Sequence, residues 1–169
     1  MASNDLLFDW EAWDGIPPTA NAATRDTRNV IHQVMDFDAG TDETAYYKGR
    51  MPPYYSGNGI EIVIEFSASS DTNSAHLARW QAAVKRIQIG TTDVDSYSFA
   101  AAQSAGATCP GTSGVLQTVT IAFTNGSQMD SLAVGEEFLI AINRDADGTS
   151  GTDDMTGDAE IHSVAMYEA

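Results

Sequence analysis

Along Ile60–Phe66 the apolar and polar positions alternate. Ile60, Ile62, Ile64 and Phe66 fall on one face; Glu61 and Glu65 fall on the other, with Val63 between them. A period of two marks a strand with one dry and one wet face. The same alternation returns twice. Val119, Ile121 and Phe123 are interleaved with Thr118, Thr120, Ala122 and Thr124, and Phe138, Ile140 and Ile142 with Glu137, Leu139, Ala141 and Asn143. The pattern predicts eight strands, over residues 6–12, 29–37, 44–50, 59–67, 77–88, 116–124, 137–143 and 159–167. The connectors are rich in turn formers: Gly15-Ile16-Pro17-Pro18, Asp38-Ala39-Gly40-Thr41, Asn125-Gly126-Ser127 and Asp147-Gly148. Many strands joined by such turns predict an all-β antiparallel sandwich or barrel.

Four segments are less sharply patterned. In 77–88, Leu77, Trp80, Val84 and Ile87 fit helical spacing, while Trp80, Ala82 and Val84 also fit one strand face. The alanines favour a helix on propensity; the all-β context favours a strand, and a strand is the expectation. Residues 101–114 (AAQSAGATCPGTSG) are small and unpatterned and read as a long surface loop. Met129 and Leu132 within 126–135 suggest a short helical turn. Residues 1–25 read as an N-terminal arm or a first edge strand, with residues 26–169 forming the sandwich domain. In that arm Leu6, Phe8, Trp10 and Trp13 are either an exposed interface or the first core strand, and the pattern leaves both open.

With 169 residues, 43% of them hydrophobic, the chain suffices for one domain with a real core. No apolar run approaches the ~18 residues needed to span a bilayer. The opening MASNDLLFDWEAWDG carries Asp5, Asp9, Glu11 and Asp14 without a basic segment, unlike a Sec-type signal peptide. A single cysteine, Cys109, excludes an internal disulfide. Charge alters the picture most. Twenty-four acidic residues against eight Lys and Arg give −16. Nucleic acids and anionic membranes are poor partners for such a surface, because both demand clustered cations. The acidity suits either a saline medium, where self-repulsion is screened, or a basic partner.

Reactive chemistry is sparse. His32, His76 and His162 are far apart and lack the close spacing of a zinc site; His32 and His162 are expected to face solvent from strands. No G-x-S-x-G elbow is present, and Cys109 has no adjacent base or cation to activate it. No phosphate-binding or dinucleotide fingerprint occurs, so no cofactor is assigned. Asp145, Asp147, Asp153 and Asp154 invite a calcium reading, but Gly148 comes too early for an EF-hand and no Glu closes the loop. Two tyrosine doublets, Tyr46-Tyr47 and Tyr54-Tyr55, lie close together. Neighbours on a strand point to opposite faces, so at least one member of Tyr46-Tyr47 is expected outside, where an aromatic can stack on a sugar or anchor an interface.

The segments Phe37-Asp38, Pro53-Tyr54-Tyr55-Ser56-Gly57, Ile60–Phe66, Arg79-Trp80-Gln81, Asp95–Ala100, Asp130–Phe138, Asn143–Ala146 and Gly157–Glu160, taken in order, resemble a group of small jelly-roll-like β-sandwich proteins of tailed bacteriophages. The resemblance covers residues 20–168, and its motifs are structural. It implies a virion component rather than an enzyme: a capsid decoration (cement) protein on the outer shell, bound to the major capsid protein and to itself, as a homotrimer. Leu6, Phe8, Trp10, Trp13, Tyr46 and Tyr47 are then the expected contact residues. The alternative is a receptor- or glycan-binding module of a tail fibre, using outward tyrosines.

Overall fold

A computed structural model describes residues 4–169; the first three residues of the N-terminal segment lie outside the described residues. Among the described residues ten strands form: β1 (Leu6–Glu11), β2 (Thr24–Arg28), β3 (His32–Phe37), β4 (Glu43–Arg50), β5 (Ile60–Ala68), β6 (Leu77–Ile87), β7 (Gln103–Thr108), β8 (Gln117–Phe123), β9 (Glu137–Arg144) and β10 (Ala159–Glu168). They pair antiparallel in two sheets. One has the order β2-β3-β10-β5-β8, with β1 paired to β10; the other has the order β4-β9-β6-β7. Among the described residues helix is confined to two single turns, Ala12–Asp14 and Ser127–Met129. The second lies within the stretch where Met129 and Leu132 suggest a helical turn. The chain is therefore an all-β, antiparallel, jelly-roll β-sandwich.

The alternating pattern accounts for the core. Ile60, Ile62, Ile64 and Phe66 of β5, and Val119, Ile121 and Phe123 of β8, are buried. Across from them lie Trp80, Ala82 and Val84 of β6 and Phe138, Ile140 and Ile142 of β9. Trp80 is fully buried and meets both Phe37 and Phe66 edge-on, with ring centroids at 5.2 and 5.6 Å. Burial of such a side chain is worth on the order of 5 kcal/mol before its ordering cost is subtracted. The 77–88 ambiguity thus resolves as a strand, because Trp80, Ala82 and Val84 all point into the gap between the sheets.

Two strands exceed the eight read from the pattern. β7 lies inside the stretch expected to be a loop and pairs with β6, Trp80 opposite Ala105. β2, TRDTR, is polar throughout and pairs with β3 from Thr24–Asp36 to Arg28–His32. Both are sheet edges held by backbone hydrogen bonds, so neither needs an apolar face. The strand read over 29–37 starts only at His32, because residues 29–31 form the β2–β3 turn, in which Asn29 and Val30 adopt φ of 44° and 71°.

β10 pairs with β3 through Ala159–Ile161 and, further along the same edge, with β1 through Ser163–Tyr167. β1 therefore closes one end of the sandwich. Phe8 and Trp10 stack at 4.9 Å, and both meet Phe138 of the facing sheet, at 5.2 and 6.3 Å. Gly49 makes room for this cluster: a Cβ there would come within 2.6 Å of the Phe8 ring and 2.7 Å of Phe138.

Arg144, the last residue of β9, points inward and is fully buried. Its Nε and Nη2 donate to Asp153 at 3.1 and 2.9 Å, Nη2 also to the Met155 carbonyl at 2.7 Å, and Nη1 to the Gly157 carbonyl at 2.9 Å. A buried guanidinium needs both a counter-charge and acceptors for its remaining donors. The loop after β9 supplies them, and is fixed in place by doing so.

Candidate functional site

The outer face of the four-stranded sheet carries the most distinctive surface. In β4 the alternation sends Ala45 and Tyr47 inward and Thr44, Tyr46 and Lys48 outward. In β9 it sends Ile140 and Ile142 inward and Ala141 and Asn143 outward; in β6, Gln81 and Ala83 lie on the outer face. The register then assembles two rows across the strands. One is Tyr46–Ala141–Ala83 and the other Thr44–Asn143–Gln81–Ser104. Alanines beside a tyrosine leave a trough.

The 88–102 connection completes that trough. Ala100 N–H donates to the Val84 carbonyl at 3.0 Å, which pins the connection to β6. Phe99 beside it lies nearly parallel to Tyr46, with centroids 5.7 Å apart and planes 12° apart, and Tyr97 meets Phe99 edge-on at 5.9 Å. The resulting open cavity, about 210 Å³, is lined by Thr44, Tyr46, Gln81, Ala83, Phe99 and Asn143, among others. Asn143 Nδ2 donates to the Glu43 carbonyl at 3.0 Å and to Thr44 Oγ1 at 3.3 Å, which fixes the amide. Gln81 lies near the Asp145 carboxylate. An aromatic face beside side-chain amides suits a flat, hydroxyl-rich ring: its C–H face lies on the aromatic, and its hydroxyls meet the amides.

The expected contact residues are not all on this face. Tyr46 lies on it. Tyr47 is fully buried, and its hydroxyl donates to the Ala12 carbonyl at 3.3 Å; burial pushes that phenol well above its ordinary range. Trp10 is 8% exposed and donates Nε1–H to the Lys48 carbonyl. Phe8 and Trp13 are half-buried against the core, and only Leu6, 47% exposed, stands out from β1. Tyr47 and Trp10 are thus unavailable to a partner, because both fill the gap between the sheets. Tyr46 and Tyr47 divide as the strand geometry of β4 requires, Tyr47 buried and Tyr46 not; Tyr54 and Tyr55 lie in the connection between β4 and β5, where Tyr55 is buried and Tyr54 exposed. Phe99 carried no sequence signal for this site, since only the chain's return over β6 brings it to Tyr46.

The four aspartates of the calcium reading are not brought together. Asp153 is spent on Arg144, and Asp154 accepts from the Leu77 N–H at 2.6 Å. Asp145 and Asp147 instead meet Asp42, with one carboxylate oxygen from each within 4.8 Å of the others. These groups already accept hydrogen bonds: Asp145 from Thr149 and Ser150, and Asp42 from the Asp147 N–H at 3.1 Å. Burial pushes the Asp145 carboxyl up, and the bonds from Ser150 and Thr149 more than reverse this, to about 2.

A larger cavity, about 480 Å³, lies on the opposite sheet, lined by Arg28, His32, Ser67, Leu116, Glu160 and His162, among others. Ser67 Oγ is 2.9 Å from His162 Nε2, a separation that invites a nucleophile–base reading. The geometry opposes it. Ser67 and Glu160 are sealed from solvent, and the carboxylate binds the serine rather than the imidazole. His162 is half-buried, not solvent-facing as its strand pattern suggests; burial holds its pKa below the ordinary value.

No protein-family model matches the chain, and no curated protein matches it in sequence. Solved structures do match in fold. A family 35 carbohydrate-binding module from Clostridium thermocellum superposes with TM-score 0.53 at 13% identity, over 95% of this chain and 98% of that one. The xylan-binding module CBM15 gives TM-score 0.52 at 13% identity, over 98% and 97%. The enzymatically active domain of tailspike protein 4 of bacteriophage CBA120 gives 0.39 at 11% identity, over 99% of this chain and 18% of that one, too low to carry an argument. The jelly-roll half of the resemblance read in the sequence is thereby met by carbohydrate-binding modules, while nothing among these neighbours supports its virion half. The chain shares the jelly-roll β-sandwich of carbohydrate-binding modules.

Proposed function

We propose that this protein is a non-catalytic glycan-binding module that holds a polysaccharide across the outer face of its four-stranded sheet. The observation that carries the reading is the Tyr46–Phe99 platform beside the Asn143 and Gln81 amides. The two structural neighbours, one of them a xylan-binding module, support it through shared architecture alone. The role of each residue follows from its chemistry. The outward face of the Tyr46–Phe99 stack takes a sugar face, Asn143 and Gln81 hydrogen-bond its hydroxyls, and Ala83 and Ala141 keep the floor low enough for the ring to settle.

The apolar side chains of Leu6–Trp13 would suit an arm on a capsid surface if they were free. Phe8 and Trp10 instead pack against Phe138, so that stretch no longer favours such a partner.

Affinity electrophoresis through gels containing xylan, mannan, galactan or soluble cellulose derivatives tests the proposal. Retardation by at least one polymer, relieved by Tyr46→Ala, is the expected result. Unretarded migration in a broad panel of neutral and acidic polysaccharides would refute it.

A further inference from the structure

The 480 Å³ cavity on the six-stranded sheet has a different construction from the trough. Its floor is a closed network. Glu160, fully buried, is ion-paired with Arg28 and accepts from Ser67 Oγ at 3.1 Å, and Ser67 in turn meets His162 Nε2 at 2.9 Å. Ser67 has one proton, and the carboxylate can only accept it. The imidazole Nε2 therefore donates to Ser67 Oγ, leaving Nδ1 of a neutral His162 as an acceptor. Arg28 commits Nε and Nη2 to Glu160 and has no described partner for Nη1. Arg28 and His162, each fixed by a buried group, thus both line the cavity, one with a spare donor and the other with a spare acceptor.

The rim is apolar. Leu116 lines the cavity and is 52% exposed, with Val115 exposed beside it. Val30 and Ile31, also exposed, form the tip of the turn whose neighbours Asn29 and His32 line the other side. The positive charge of Arg28 is cancelled by Glu160, and Asp36 lies close to both. An anion gains little here. A neutral polyol gains from every element: hydroxyls for the donor and acceptor, C–H groups for the rim. The volume falls within the roughly 300–1,000 Å³ of small-molecule pockets.

We propose that this cavity is a second ligand site that takes a single neutral sugar ring, either a free monosaccharide or a glycan chain end. It stands independently of the trough, since it shares no residue with it. A module with one site on each outer face can bridge two glycan segments and gain avidity from doing so.

Nuclear magnetic resonance titration with glucose, galactose, mannose and xylose tests this, in the natural chain and in a Tyr46→Ala/Phe99→Ala variant that lacks the trough platform. The expected result is a shift of the Asn29, Gly114, Leu116 and His162 amides by at least one sugar, undiminished in the double variant. Leu116→Trp, which narrows the cavity from its apolar rim and leaves Arg28 and Glu160 unsubstituted, should abolish it while the rest of the spectrum is retained. An oligosaccharide that reproduces the shifts identifies a chain end, and shifts from monosaccharides alone identify a free sugar; either supports the site. No response of these amides to any of the four sugars or to their oligosaccharides, or a response that survives Leu116→Trp, would overturn it. Loss of polysaccharide binding in the double variant with the monosaccharide response intact separates the two sites.

Discussion

The rings of Tyr46 and Phe99 lie 12° from parallel at 5.7 Å, although one stands on a central stretch of β4 and the other on a connection more than fifty residues later in the chain. Tyr46 is held by its strand; Phe99 is held by the Ala100–Val84 hydrogen bond. Neither belongs to the buried core, and the proposed glycan platform rests on this pair. Tyr46→Ala and Phe99→Ala should each weaken polysaccharide binding at least tenfold, about 1.4 kcal/mol. The melting temperature should move little, and calorimetric titration alongside thermal unfolding checks both.

Arg144 and Asp153 behave in the opposite way. Their ion pair is sealed in the interior at 2.9 Å, with both side chains at or below 1% exposure. Asp153→Ala leaves the guanidinium buried without a counter-charge and should cost about 3–5 kcal/mol in urea unfolding. The exposed pair Arg50–Glu137, at 3.5 Å, should lose less than about 1 kcal/mol on Glu137→Ala. Equal losses at the two pairs would contradict this ranking.

Asp36 should make stability fall as the medium is neutralised. Burial, with Asp158 and Glu160 nearby, pushes its carboxyl up to about 7, against an ordinary value of 3.8. Between those values the folded chain holds a proton that the unfolded chain has released, so stability declines as pH rises through that window. Asp71 and Asp145 act in the reverse sense. For each, burial raises the pKa and hydrogen bonds then lower it to about 2, so their contribution is lost as pH falls from about 4 toward 2. Asp36→Asn should flatten the decline between pH 4 and 7 and leave the acid limb unchanged, as read by melting temperature against pH.

Val30 should be improvable. It is β-branched, 89% exposed, and held at φ 71° in the β2–β3 turn. Left-handed backbone costs a residue with a Cβ roughly 1–2 kcal/mol and costs glycine far less. Val30→Gly should raise stability by about 1 kcal/mol in urea unfolding. An unchanged or lowered midpoint would contradict the strain.

The sequence made the central strands legible because each buries large apolar side chains at every second position. Ile60–Phe66 and Glu137–Asn143 were readable on that basis alone. TRDTR and QSAGAT were not, since these edge strands are held by backbone pairing and bury little. The Leu6–Trp13 stretch was ambiguous for a related reason: composition cannot distinguish an apolar strand that closes a sandwich from one that waits for a partner. At the site, Tyr46 was within reach through the strand geometry of its doublet. Phe99, Asn143 and Gln81 were not, because their convergence depends on the order β4-β9-β6, which pairing register creates and local pattern does not encode. The aspartates show the same limit: Asp153 and Asp147 are near in sequence, yet Arg144 draws one inward while the other turns toward Asp42.

A crystal structure with a bound oligosaccharide, chosen from whichever polymer retards the protein, tests the central claim most directly. The account predicts a sugar ring lying on the Tyr46–Phe99 surface, with hydroxyls within hydrogen-bonding distance of Asn143 and Gln81. An oligosaccharide bound elsewhere, with that trough empty, would contradict it.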